Sequence, residues 1–123
     1  DTRRVNVGDL TSYIQNLLTY PEFVTQNAGP SASGFSVSVN DNSYNTWLLL
    51  QPLAGYATGT IVLPALANAV DNQEISVNCT QQITTLTVDG NGATVSGAPT
   101  SMGADDFFRL RFNNAANTWF RVG

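Results

Sequence analysis

At Gly34 the hydrophobic period of this chain switches from that of a helix to that of a strand. Before it, Leu10, Ile14, Leu17 and Leu18 recur at helical spacing and would line one face of a short helix. Asn6 with Asp9 three residues on is a weak capping pattern, and Tyr20-Pro21 stops the helix because the residue before proline is driven out of the helical region. So short a helix needs a surface to pack on. The stretch Thr25–Gly34 (TQNAGPSASG) reads as a linker. The expected organisation is a helical segment 1–24, a linker 25–34 and one β-domain 35–123.

Beyond Gly34, Phe35, Val37 and Val39 alternate with Ser36 and Ser38, as a half-buried strand requires. A turn cluster Asn40–Asn45 leads into Thr46–Gln51, which reads as a more fully buried strand. Further strands are expected at Thr60–Leu63, Glu74–Cys79, Ile83–Asp89 and Ala93–Ser96. The last two would form a hairpin through Gly90-Asn91-Gly92, whose residues tolerate positive φ. Asp106–Phe112 and Thr118–Val122 form a second hairpin across Asn113–Asn117. About seven or eight short antiparallel strands with turn chemistry between them predict a β-sandwich or jelly-roll-like domain, preceded by the one N-terminal helix. No internal repeat is visible.

Composition narrows the chemistry. The 123 residues contain no His and a single Cys, which excludes a histidine triad, a histidine metal site and an internal disulfide. The net charge of -4 argues against nucleic acid as a partner, and no apolar run reaches the length of a membrane span. All five basic residues are Arg. Asp105 and Asp106 are adjacent and would point to opposite faces of a strand, while Glu22, Asp71 and Glu74 fall at expected element ends or turns. No pair suited to acid–base chemistry emerges, so no catalytic residue, cofactor or metal is expected and the protein reads as a non-enzyme. Cys79 reads as a small buried hydrophobe, and the sequon Asn78-Cys79-Thr80 as a chance match in an Asn- and Thr-rich chain. Asn40-Asp41-Asn42 and Asp89-Gly90-Asn91-Gly92 lack a full calcium ligand set and read as turns. Tyr44, Trp47 and Tyr56 could supply an aromatic sugar platform beside Asn and Gln donors, but Trp47, standing before Leu48-Leu49-Leu50, is expected in the core.

The last hairpin offers the one candidate site. Alternation sets Phe108, Leu110 and Phe112 on one face and Phe107, Arg109 and Arg111 on the other. Matching Phe120 and Val122 to the apolar face leaves Trp119 and Arg121 beside the arginines. Arg109, Arg111, Trp119 and Arg121 then compose a face suited to subunit contact or to a ligand, because Arg and Trp dominate interface hot spots.

Two stretches resemble bacteriophage virion proteins of the tail-fibre and capsid-decoration kind. The opening Asp1-Thr2-Arg3-Arg4-Val5-Asn6-Val7-Gly8-Asp9-Leu10-Thr11-Ser12-Tyr13 is similar to the T-[KR]-[KR]-x-[ST]-V-x-D-L-x-x-Y pattern near the N-terminus of many phage fibre proteins, with Asn6 where Ser or Thr is usual. Gly59-Thr60-Ile61-Val62-Leu63-Pro64, Asp71-Asn72-Gln73-Glu74-Ile75, Leu86-Thr87-Val88-Asp89 and Asn117-Thr118-Trp119-Phe120-Arg121-Val122 resemble a small β-domain of phage structural proteins. The resemblance implies a virion location and a homotrimer on the particle surface. It also implies capsid or tail proteins as partners, no catalysis, and a longer parent chain whose upstream residues include an anchoring strand. The alternative expectation is a host-glycan-binding receptor module of a tail fibre, using Trp119 and the neighbouring arginines.

Overall fold

The computed structural model describes residues 23–123. Nine strands occupy this range: β1 (Phe23–Ala28), β2 (Phe35–Ser38), β3 (Asn45–Leu50), β4 (Tyr56–Val62), β5 (Glu74–Cys79), β6 (Ile83–Asp89), β7 (Thr94–Ser96), β8 (Asp106–Asn113) and β9 (Thr118–Arg121). They build a six-stranded sheet in the order β1-β3-β5-β8-β9-β7 and a three-stranded sheet in the order β2-β4-β6. The chain is thus mainly β, as its alternation predicts.

The pairing is not that of an antiparallel sandwich or jelly-roll. β1, β3 and β5 run parallel in the first sheet, and β2, β4 and β6 run parallel in the second. From β1 to β7 each strand is followed by a strand of the opposite sheet, so this part of the chain winds as a solenoid-like coil with one strand per sheet in each turn. Among the described strands, antiparallel pairing enters where β8 packs along β5 and returns through β9, with one further antiparallel bridge between Ile83 and Met102. The reason lies in the connections. A corner that carries the chain across to the other sheet brings the next strand of the same sheet back in the same direction, whereas a tight hairpin would reverse it. Gly90-Asn91-Gly92 is such a corner: Asn91 and Gly92 do take positive φ, but β6 and β7 lie in different sheets and form no hairpin.

Turn lengths also explain why no repeat shows in the sequence. Phe23 lies beside Asn45, whereas Thr46 lies beside Ile75, because the second turn carries a longer β4–β5 connection with a short 3-10 helix at Leu66–Asn68. The expected linker 25–34 is part of this coil. Thr25–Ala28 belongs to β1, and only the following residues, ending at Gly34 with φ 78°, make a corner. The polar letters of β1 fit an edge strand that is half exposed. The N-terminal helix lies outside the described residues.

Between the sheets, Leu48, Val77 and Phe108 align across β3, β5 and β8, and Ile75 aligns with Leu110. Ile61, Ile83 and Leu86 are also buried, from the three-stranded sheet, and Met102 joins this core while exchanging backbone hydrogen bonds with Ile83. At the opposite end the Gln26 carboxamide donates to Ser38 O at 2.7 Å and accepts from Asn40 N–H at 2.8 Å. Val39 N–H donates to Val62 O, so Ser38 and Asn40 turn their backbone groups away from β4, and Gln26 satisfies them where no further strand does among the described residues.

Cys79 is buried in β5, as expected of a small hydrophobe. Burial pushes its thiol up, and the nearby Asp106 carboxylate adds to the shift. The folded protein therefore holds the thiol proton at pH values where the unfolded chain has released it, and stability falls as pH rises past the ordinary thiol range. With a thiol-specific chromogenic disulfide at pH 8, native protein is expected to react only after denaturant is added. Immediate stoichiometric reaction of the native state would contradict this burial.

Candidate functional site

The outer face of the six-stranded sheet carries the charged and aromatic residues. The register sets them in rows: Phe23, Asn45, Glu74, Arg111 and Phe120; then Thr25, Trp47, Ser76, Arg109 and Val122; then Asn27, Leu49, Asn78 and Phe107. Alternation alone produces these rows, since each strand's opposite parity supplies the core.

Glu74 is the centre of the face. Its residue is buried, its backbone N–H donates to Asn45 Oδ1 at 2.9 Å, and its Oε1 accepts from Arg111 Nη2 at 3.1 Å. Arg109 Nη1 stands 3.8 Å from Glu74 Oε2. Both arginine side chains keep about half their surface in solvent (45% and 52%), so two guanidinium groups face one carboxylate. Beside them Trp47 is 39% exposed, and its indole N–H donates to Asn78 Oδ1 at 2.8 Å. A concavity runs between Phe23, Trp47, Ser76, Glu74 and Arg109 and continues towards Asn45 and Arg111. Along β8 and β9, Phe107 (57%), Phe120 (42%) and Val122 (42%) project large apolar groups into solvent.

Of the four residues expected to share a face, the structure brings together Arg109 and Arg111. Trp119 is a correction. It sits opposite Phe112 in the ladder and is wholly buried, the two rings 5.1 Å apart and tilted by 56°. Arg111 instead faces Phe120. The expected pairing was out by one residue, which turns every side chain of a strand over. The turn decides this. Asn113 pairs directly with Thr118, and Asn117 takes φ 50° to close the loop between them. Arg121 shares the parity of Trp119, lies opposite Leu110, and donates through Nε to Gly123 O at 3.1 Å.

Two residues of this face were missed by sequence reasoning. Trp47 was assigned to the core from the Leu run that follows it, but Thr46, Leu48 and Leu50 take the inward parity and Trp47 the outward one. Glu74 was expected to open a strand, as it does, but its carboxylate was read as solvated at the turn before it, although Ser76 and Asn78 share its parity on the outer face. Strict alternation through both strands carries that signal. Among the described residues no group of three or more His, Cys, Asp or Glu is arranged to hold a metal ion.

A comparison of the chain with protein-family models, curated proteins and solved structures found no significant match.

Proposed function

We propose that this chain is a structural module of a tailed-phage particle's surface, a capsid decoration or fibre element that assembles as a homotrimer and performs no chemical step. The observation that carries the reading is the β8–β9 half of the outer face, where Phe107, Phe120 and Val122 stand exposed around Arg109 and Arg111. Aromatic side chains and arginine are the groups enriched at interface centres, and a clustered apolar patch is rarely left in water without a partner. Charge favours a second copy as that partner. The three basic residues among those described are Arg109, Arg111 and Arg121, whereas Asp41, Asp71, Asp89, Asp105 and Asp106 are acidic groups that a neighbouring copy could turn towards them. A head-to-tail contact of this kind closes into a ring when its rotation is threefold. Capsid or tail proteins would be the further partners.

Light scattering behind a sizing column tests the reading. A mass of three chains at micromolar concentration is expected, falling to one chain in Phe120→Glu, whose side chain supports no core. A wild-type monomer under those conditions would overturn trimer assembly, and a Phe120→Glu trimer would overturn the assigned face.

One observation favours a second reading, a host-glycan-binding module. Trp47 presents a part-exposed ring, bonded through its N–H to Asn78, at a mainly apolar concavity that also holds the polar groups of Ser76, Glu74 and Arg109, the arrangement that sugars use.

A further inference from the structure

The Trp47 indole is tethered at one end by its bond to Asn78, so it is an apolar plate held in place before any ligand arrives. The wall opposite is unevenly charged. Glu74 is nearly enclosed and already accepts from Arg111 at 3.1 Å, while Arg109 stands 3.8 Å away, beyond hydrogen-bonding distance, with its donors unused by that carboxylate. Among the described residues, one positive charge is therefore left over at the mouth of the concavity. Ser76 adds a hydroxyl to its floor, and Glu74 is the one acidic residue lining it among the described residues.

We propose that this concavity binds a carboxylate-bearing pyranose of a surface oligosaccharide. The C–H face of the sugar ring packs on Trp47, and its carboxylate takes the donors of Arg109 that Glu74 leaves unused, the planar fork matching the two oxygens. A neutral sugar fills the same space but leaves the spare guanidinium charge unanswered. The inference rests on the glycan-binding reading; all the residues it uses come from one chain, and it requires the side of Arg109 that faces Trp47 to stay open when the β8–β9 half of the face meets a second copy.

The test titrates the full chain with three probes: a sialic-acid-terminated lactose trisaccharide, a galacturonic acid trimer and unmodified lactose. Calorimetry gives affinity, and tryptophan fluorescence reports contact at Trp47, the other tryptophan being buried. At least one acidic probe is expected to bind about tenfold tighter than lactose, the factor that one charge-assisted pair supplies. Trp47→Ala and Arg109→Gln are each expected to weaken that binding about tenfold or more, with Arg121→Gln unchanged. Circular dichroism verifies that each variant is folded. Equal affinity for lactose and the acidic probes would overturn the carboxylate assignment while leaving glycan binding intact. Absence of binding by all three at millimolar concentration would overturn both. Binding that survives Trp47→Ala would overturn the site.

Discussion

Trp119→Ala is expected to lower the free energy of unfolding by about 3–5 kcal/mol, the range for removing a large aromatic side chain from a packed core. Trp119 is fully buried and contacts the Phe112 ring, so alanine leaves a cavity that the ladder between β8 and β9 prevents from collapsing. Among the described residues its indole N–H has no hydrogen-bond partner, so the stabilisation comes from volume and contact rather than from polarity. Trp119→Phe should therefore be milder than Trp119→Ala. Urea unfolding at constant m measures both. A loss below about 1 kcal/mol for the alanine variant would mean that Trp119 is on the outer face after all, as the alternation of β9 first suggests. The same variant has a second use. Were Trp119 part of the contact surface, its loss would change assembly without changing stability, the reverse of what the buried position requires.

Gln73→Ala should cost about 2–4 kcal/mol, because it strips partners from three backbone groups at once. Gln73 is buried directly before β5. Its Nε2 donates to Asn42 O at 3.1 Å and to Tyr44 O at 2.9 Å, and its Oε1 accepts from Val70 N–H at 3.1 Å. One side chain thus ties the β2–β3 connection to the β4–β5 connection, and its own backbone carbonyl receives Phe112 N–H. Each orphaned group costs about 1–3 kcal/mol when water cannot replace the partner, and the exposed loops recover part of that. Hydrogen exchange provides the local readout: protection at Val70 should collapse before protection at Val77 in the core. A variant with unchanged stability and unchanged Val70 protection would show that the carboxamide holds nothing.

Most strand positions were legible because alternation is local; β1 was read as linker, and β4 begins at Tyr56 rather than at the expected Thr60. Glu74–Cys79 and Ile83–Asp89 were expected at the residues where they occur, and β3, β8 and β9 within a residue or so of theirs. The half of the candidate site that lies on β8 was legible for the same reason, since Phe107, Arg109 and Arg111 alternate with Phe108, Leu110 and Phe112 within one strand. What failed crossed between strands. The parity of β9 relative to β8 depends on how many residues the turn consumes, and Asn117 in the left-handed region changes that count by one. Glu74 could not be recognised as the partner of Arg109 and Arg111 until β5 was known to lie beside β8.

By itself, then, the amino-acid order determined that the described part of this protein is built of short strands, which side chains each strand turns to one face, and that Arg109 and Arg111 share a face. Those properties follow from side-chain alternation and turn chemistry within a few residues. Only the tertiary structure decided that the strands wind in parallel between two sheets, that Trp119 is core, and that Trp47 and Glu74 join the arginines. Each of those outcomes depends on which strand becomes a neighbour. That choice is made by packing between segments far apart in the chain, where a corner and a hairpin are written with the same glycines and asparagines but send the next strand in opposite directions.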